Sequence, residues 1–154
     1  MSRKSFTEKL NDSKDMPKLV ELDEKAAARW GGKKMVIAPP LEYDSLMKKV
    51  PKGKIITTEV LRKYVAKKYN ADLTCPLTAG IFVSLSAQAS EERDYDKTPF
   101  WRTLKSNGEL NEKYPGGIEL QKKLLEEEGH NIITKGKKNN KYYVKDFETK
   151  LYDL

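Results

Sequence analysis

Apolar residues recur at intervals of three and four along much of the chain, and this spacing predicts a mainly helical protein. The stretch 41–50 has one apolar helical face. A second helix is predicted over 58–69, with Thr57 or Thr58 as its N-cap and with basic residues on its outward side. A third helix is predicted over 118–128.

The stretch 77–90 fits two patterns. Its apolar residues alternate as in a strand, but a helical stripe also accommodates them. The length of the stretch and the short polar turn before it favour a helix. Two helices joined in this way form a helix-turn-helix, a unit whose second helix can enter the major groove of DNA.

Shorter elements come before these helices. Asp23 is expected to cap a helix over 24–30, which Gly31 ends because glycine adopts the left-handed conformation without a Cβ clash. The stretch 35–38 predicts a strand that the following prolines stop.

The two ends of the chain are less regular. The stretch 1–18 is polar and aperiodic, and we expect a loose arm with one short turn around 6–10. Near the other end, 132–134 and 142–144 predict a β-hairpin around a lysine-rich turn at 136–140, followed by a short helix that packs on the body.

These elements predict an α+β, mainly helical fold in a single domain, which suits a chain of 154 residues. We divide the chain into an arm with a short helix (1–40), a central domain (41–130) and a hairpin with a tail (131–154). The acidic run 91–96 is expected to be a solvated loop, with a lid as the alternative.

The net charge permits binding to a polyanion, and the hydropathy argues against a membrane-spanning helix. Lysine and arginine outnumber acidic residues by 30 to 23, so the net charge of +7 permits attraction to a polyanion without requiring it. The mean hydropathy is −0.75, and no apolar run approaches the ~18 residues of a membrane span. We therefore expect a soluble, cytoplasmic protein with no membrane association.

Cysteine and histidine are too few for a metal centre. Cys75 is the single cysteine and His130 the single histidine, so no internal disulfide and no Cys/His metal cluster is expected. Cys75 is predicted to be a partly buried small residue, and His130 a polar residue just past a helix end. No cofactor is indicated.

The run 98–117 combines a Pro-aromatic-aromatic-Arg segment, an Asn-Gly turn and a Tyr-Pro-Gly-Gly break before a helix. With the helix and the upstream turn at 51–57, it resembles the alkylguanine-DNA alkyltransferases over roughly 41–129. The matching positions include Pro99, Arg102, Gly108, Leu110, Tyr114, Gly116, Gly117, Lys122, Leu124, Leu125, Glu128 and Gly129. The resemblance implies a winged helix-turn-helix like the C-terminal domain of that family.

Two residues depart from the family pattern. Phe100 stands where the family has its nucleophilic Cys, and Trp101 stands where it has the general-base His. A benzyl ring cannot attack an alkyl carbon, so the resemblance implies an alkyltransferase-like member that is not an enzyme. In such proteins the Cys is also missing, and modified or extruded bases are bound without repair.

The resemblance also implies a set of site residues. The expected base pocket comprises Thr58, Pro99, Phe100, Trp101, Arg102, Tyr114, Gly116 and Gly117. The expected contacts to the DNA backbone are Lys52, Lys54, Thr78 and Gln88. The family's inserted Arg corresponds here to Leu77 or Thr78, and the second helix of the helix-turn-helix has no Lys or Arg.

The predicted function is therefore that of a monomeric protein that binds double-stranded, alkylated DNA and hands the site to a repair-protein partner. Filling of a vanished active site by Phe100 and Trp101 is the alternative reading of those two residues. At the level of function, the alternatives are a protein-interaction module on a winged-helix scaffold with a decayed site and a different enzyme using Glu59, Asp94 or Asp96.

Overall fold

Short strands and helices alternate along the chain. The structure, a computed structural model, describes residues 5–136 and 141–154. The helices described are α1 (Phe6–Leu10), α2 (Glu24–Trp30), α3 (Pro40–Lys48), α4 (Thr58–Lys68), α5 (Pro76–Glu91) and α6 (Gly117–Glu127). The strands are β1 (Lys18–Glu21), β2 (Lys34–Ile37), β3 (Ile56–Thr57), β4 (Leu73–Thr74), β5 (Thr103–Leu104), β6 (Ile132–Lys135) and β7 (Lys141–Val144). The predicted α+β, mainly helical fold is confirmed.

Local capping defines several of these helices. The Asp23 carboxylate accepts a hydrogen bond from the Ala26 amide at 2.8 Å, and α2 ends at Gly31 with φ at 95°. Thr57 rather than Thr58 caps α4, because its hydroxyl accepts from the Val60 amide at 3.3 Å. Both predicted helix starts are therefore confirmed.

The ambiguous stretch 77–90 is helical and forms most of α5. Its apolar residues do not form one narrow stripe because α1 and α3 both pack against the helix. Small side chains such as Ala79, Ala87 and Ala89 are buried, which permits the close approach of neighbouring elements. Burial on more than one side accounts for the mixed pattern in the sequence.

Three small groups of strands tie distant parts of the chain together. Strand β1 pairs antiparallel with β2, and β2 pairs parallel with β4. Strand β3 pairs parallel with β5, whereas β6 and β7 form the predicted hairpin. The predicted lysine-rich turn of this hairpin falls mostly on residues 137–140, which are outside the described part of the chain. Strand β1 had no periodic signal, since its burial does not alternate regularly.

The N-terminal arm is docked rather than loose in its described part. Helix α1 lies where a short turn was predicted and packs on α5. The Glu92 carboxylate accepts hydrogen bonds from the Phe6 and Thr7 amides at 3.2 and 2.7 Å and from the Thr7 hydroxyl at 2.7 Å. Unpaired amides at a helix start favour a carboxylate, so Glu92 attaches α1 to the end of α5.

The core consists of two clusters of buried residues. The larger lies among α3, α4 and α5 and includes Tyr43 and Phe100. The smaller lies between α6 and the β6–β7 hairpin and includes Leu110 and Leu125. Trp101 packs against both clusters. The C-terminal 3-10 turn Phe147–Lys150 adds to the second cluster, as the predicted return of the tail requires.

None of the described helices has the length and apolar run needed to cross a bilayer.

Candidate nucleic-acid interface

Phe100 lies in the interior of the molecule, in the 3-10 turn Phe100–Arg102 that follows Pro99. It is only 2% exposed. Its ring meets Trp101 edge-on at 5.5 Å and Tyr114 at 5.3 Å, both between ring centroids. Edge-to-face aromatic packing is favourable beyond the area it buries. A ring enclosed in this way cannot stack on an external base without rearrangement of the core.

Arg102 is held by a neighbouring carboxylate. Its Nη2 lies 2.6 Å and its Nε 3.0 Å from the two oxygens of Glu128, and its Nη1 donates to the Val50 carbonyl at 2.8 Å. The guanidinium also lies 5.3 Å from the centroid of the Trp101 ring. These contacts engage all three nitrogens of the guanidinium and leave the side chain 14% exposed, so Arg102 is directed at Glu128 and Val50.

The Glu128 carboxylate is stabilised in its ionised form by Arg102. Burial opposes its ionisation, but the hydrogen bonds and the charge of Arg102 outweigh burial and hold the pKa of Glu128 below its ordinary value. Arg102 and Glu128 are 14% and 8% exposed. The result is a largely buried, bidentate ion pair beside the turn that carries Phe100.

Tyr114, Gly116 and Gly117 shape the start of α6. Tyr114 is buried and its hydroxyl donates to the Thr103 carbonyl at 2.9 Å, and burial raises the pKa of this phenol above its ordinary value. Gly116 has φ at 77°, and a Cβ there would come within 2.5 Å of Leu120. Glycine is therefore required at this position on both grounds.

An open groove lies between α5 and the loop before α6. Its volume is about 300 Å³, and it is lined by Thr58, by the exposed side of α5 and by the loop 111–113. The Thr58 hydroxyl lies 3.1 Å from the hydroxyl of Ser106, which also accepts from Arg62 at 3.0 Å. Thr58 is thus the one residue of the expected base pocket among those that line this groove.

Hydrogen bonds hold the loop wall of the groove in place. The Asn111 amide donates to the buried Gln121 side chain at 2.7 Å, and Gln88 of α5 donates to the Lys113 carbonyl at 2.9 Å. Lys105 lies 2.9 Å from Glu112, and this bond holds the pKa of Glu112 below its ordinary value. The wall is therefore preformed, with lysines and one carboxylate at its rim.

The other expected backbone contacts are dispersed. Lys52 and Lys54 are exposed in the turn between α3 and β3. Thr78 is half-buried in the first turn of α5, and its hydroxyl donates weakly to the Cys75 carbonyl at 3.4 Å. Gln88 is engaged with the loop wall, as described above. All four assignments remain predictions.

Sequence reasoning missed the residues of the loop wall. Lys105, Asn111 and Lys113 come to the groove with Thr58 and α5. For Asn111 and Lys113, the available signal was a polar run between two glycine turns, at Gly108 and Gly116. Such a run indicates an exposed loop, but it does not indicate which face the loop meets.

The single cysteine and histidine stay apart from this groove. Cys75 is partly buried at the N-cap of α5, and His130 is buried just past α6, where burial lowers the pKa of its imidazole. Within residues 5–136 and 141–154, no three His, Cys, Asp or Glu side chains are grouped closely enough to hold a metal ion.

These elements define a class of fold, a mainly helical α+β domain in which a groove lies beside α4 and α5 and is closed on its other side by the loop 111–113.

No protein-family model matches the chain, and no curated protein matches it. Two solved structures share the fold, both of Atl1 from S. pombe. One is in complex with damaged DNA containing O6-carboxymethylguanine, with a TM-score of 0.52. The other is in complex with DNA, with a TM-score of 0.51. Each is 20% identical and covers 75% of this chain and 94% of its own.

Proposed function

We propose that this chain is a non-catalytic, alkyltransferase-like protein that binds double-stranded DNA and recognises alkylated or extruded bases in DNA repair. The shared fold supports this proposal, since both Atl1 structures were solved with DNA and one of them with an alkylated guanine. The net charge of +7 is compatible with a polyanionic partner. We propose that the chain acts as a cytoplasmic monomer that passes the marked site to a repair protein.

The observation that carries the proposal is the environment of Phe100. The position that matches the family's nucleophile is filled by a buried ring, and Trp101 replaces the base beside it. Glu128, one of the positions that match the family, is bound to Arg102. Covalent alkyl transfer requires a nucleophile and a base within hydrogen-bond reach. This arrangement supports binding without transfer.

The groove beside α5 is the better candidate for the extruded base. Phe100 is too deeply buried for stacking, whereas the groove is open and offers hydrogen-bonding groups from Thr58, Ser84 and Asn111. Enzymes and sensors that extrude a base read its edge through such polar groups. Within the proposal, the aromatic residues and the Arg102–Glu128 pair support the loop that forms the groove wall, rather than contacting the base.

A second candidate function is a protein-interaction module. A mainly apolar cavity of about 530 Å³ lies between α1 and α5, lined by residues that include Phe6, Ile81 and Leu85. Apolar surface of this kind is often used for protein contacts. A stable protein partner together with no DNA affinity at low salt would favour this function.

Fluorescence anisotropy with a short duplex tests the first candidate. The duplex is used with and without one O6-alkylated guanine, at ~50 mM and ~200 mM salt, a range over which phosphate-driven binding weakens steeply. We expect salt-sensitive binding that is tighter for the alkylated duplex, with no gain of an alkyl group in the intact mass of the protein. Equal affinity for both duplexes would exclude recognition of the lesion. No binding at either salt concentration would exclude the DNA-binding function.

A further inference from the structure

Trp30 is a large aromatic residue that the fold leaves in solvent at the end of α2. It is 48% exposed. Helix α2 ends there because the next residue, Gly31, takes the left-handed conformation. The Arg29 guanidinium lies 5.3 Å from the centroid of the Trp30 ring. Trp30 therefore combines an accessible aromatic ring with a neighbouring cation.

The chain just after Trp30 is fixed by Asp72. The Asp72 carboxylate accepts hydrogen bonds from the Lys33 and Lys34 amides at 3.1 and 3.0 Å, and the Asp72 amide donates to the Lys34 carbonyl at 2.8 Å. A Cβ on Gly32 would come within 2.3 Å of the Asp72 Cβ, so this close approach requires glycine. These contacts hold the end of α2 beside α4 and β4.

A cavity of about 280 Å³ lies between Trp30, α4 and the start of α5. Its volume is near the lower end of the range for small-molecule sites, roughly 300 Å³, which suits a group the size of one ring system. We call it the Trp30 cavity. Its polar lining residues are Glu59, Arg62, Lys63, Asp72 and Thr74.

The two carboxylates of the Trp30 cavity are already engaged. Glu59 lies 3.0 Å from Lys63 in an exposed ion pair, which water and salt weaken. Asp72 is bound by the two backbone amides described above. An anionic group that reaches the cavity can therefore bind Lys63 in place of Glu59, with Arg62 and Arg29 as further cations nearby.

This combination of groups favours a nucleotide over an apolar protein partner. The cores of protein–protein interfaces are depleted in charged residues. Sites for single-stranded nucleic acid instead combine cations for the phosphates with aromatic rings on which the bases stack. Bases inside a duplex are covered by their neighbours, so an aromatic ring stacks on a base that has left its pair.

The Trp30 cavity adjoins the groove that we propose for the extruded base. Pro76, the first residue of α5, lines both. Arg62 lines the cavity and donates to the Ser106 hydroxyl at 3.0 Å, and this hydroxyl lies 3.1 Å from that of Thr58 in the groove. A nucleotide in the cavity would therefore lie next to DNA bound at the groove.

We propose that Trp30 is a stacking site for an unpaired nucleobase, whose phosphate binds Lys63 and Arg62. This inference rests on the proposed DNA-binding function, because extrusion of a base opens its pair and leaves unpaired nucleotides beside the groove. Stacking tolerates any base, since every base has a π face. The site therefore adds affinity for opened DNA without adding sequence preference.

A short single strand of adenylates tests the site by quenching of tryptophan fluorescence, because a stacked base quenches the emission of the ring beneath it. We expect quenching with the parent protein at ~50 mM salt, where phosphate contacts are strong. In Trp30→Phe, the one remaining tryptophan is Trp101, which packs against both core clusters. This variant should bind the strand with little change in affinity, since phenylalanine also stacks, but without quenching.

Trp30→Ala should weaken binding of the same strand roughly tenfold, as measured by the anisotropy of a labelled strand. Tyr95→Ala is the matched control, because Tyr95 is 81% exposed and lines neither the Trp30 cavity nor the groove. It should bind and quench like the parent. Trp30→Phe keeps a ring in place, so its loss of quenching does not depend on the stability of Trp30→Ala.

Lys63→Gln tests the phosphate contact. The slope of log K against log salt for the single strand should become smaller by about 0.7, the value for one lost phosphate contact. Lys123→Gln is the matched control, since this exposed lysine of α6 lines neither the Trp30 cavity nor the groove. An unchanged slope for Lys63→Gln would overturn the phosphate contact.

The outcomes separate this inference from the proposed function. If the parent binds neither the duplex nor the single strand, the proposed function fails and the inference fails with it. If the parent binds the duplex, but the single strand does not bind or binds without quenching, the stacking site is overturned while the DNA-binding function stands. Equal affinity of Trp30→Ala and the parent for the single strand would also overturn the site.

Discussion

Arg102 and Glu128 form a bidentate ion pair beside the turn that carries Phe100. Glu128 binds Arg102 through two hydrogen-bonded contacts, and the Arg102 guanidinium lies 5.3 Å from the centroid of the Trp101 ring. Both side chains are largely buried, so each charge depends on the other for its solvation. The pair is therefore an internal support for the turn that carries Phe100.

Glu128→Ala should lower the free energy of unfolding by about 3–5 kcal/mol, because it leaves the Arg102 charge buried without its partner. Urea denaturation measures this loss. The matched control is Glu59→Ala, which removes an exposed partner of Lys63 at 3.0 Å and should cost less than about 1 kcal/mol. Equal costs for the two variants would contradict a buried, coupled pair.

The same pair predicts a pH dependence with a definite sign. Since the folded pKa of Glu128 lies below its ordinary value of 4.5, the stabilisation is complete above pH 4.5 and is lost as the pH falls through the folded pKa. The difference in stability between the parent and Glu128→Ala should therefore shrink between pH ~7 and ~3. A difference that grew on acidification would show the opposite linkage.

Helix α1 depends on a single distant carboxylate. It has five residues, which is too few for a stable isolated helix. Glu92 lies at the end of α5 and accepts from the first amides of α1, and Ser5 caps the helix with a bond to the Glu8 amide at 3.1 Å. The hydrogen bonds from Thr7 hold the pKa of Glu92 below its ordinary value, so this attachment weakens on acidification.

Glu92→Gln should release α1 from α5 without unfolding the rest of the molecule. The neutral amide is a weaker acceptor at a helix N-terminus than the carboxylate. Hydrogen exchange should become faster at the Phe6 and Thr7 amides, while exchange in α4 stays as in the parent. Glu91→Gln is the matched control because no hydrogen bond from the α1 amides reaches Glu91. Unchanged exchange at Thr7 in Glu92→Gln would contradict the attachment.

The molecule as a whole is joined by Trp101 and by pairing between distant strands. Trp101 packs against both core clusters, and β3 pairs with β5 across more than forty positions of sequence. The C-terminal segment returns to the body, where the Tyr152 amide donates to the Ile55 carbonyl at 2.7 Å. These links indicate that the two clusters unfold together.

A variant with Trp30→Phe leaves Trp101 as the one tryptophan of the chain and reports on this cooperativity. Its urea unfolding followed by Trp101 fluorescence should coincide with unfolding followed by far-ultraviolet circular dichroism. Coincident transitions are expected when one cooperative unit unfolds. A fluorescence transition at lower urea would mean that the two clusters separate before the helices melt.

Local interactions were sufficient to predict many elements from sequence. The caps at Asp23 and Thr57 and the stop at Gly31 act within a few residues, so their signals are visible in the chain. The ambiguity of 77–90 had to be decided by length, because burial by α1 and α3 masks its periodicity. Strand β1 went unpredicted because its partner β2 determines its conformation.

The amino-acid sequence alone predicted the mainly helical α+β class and the starts of the principal helices, because these depend on caps and periodicity. Only the tertiary structure decided that Phe100 is buried, that Arg102 binds Glu128 and that Lys105 and Lys113 meet α5 at one groove. Caps and helical periodicity depend on neighbours along the chain. Burial, ion pairing and surface charge depend on residues that folding brings together from distant positions.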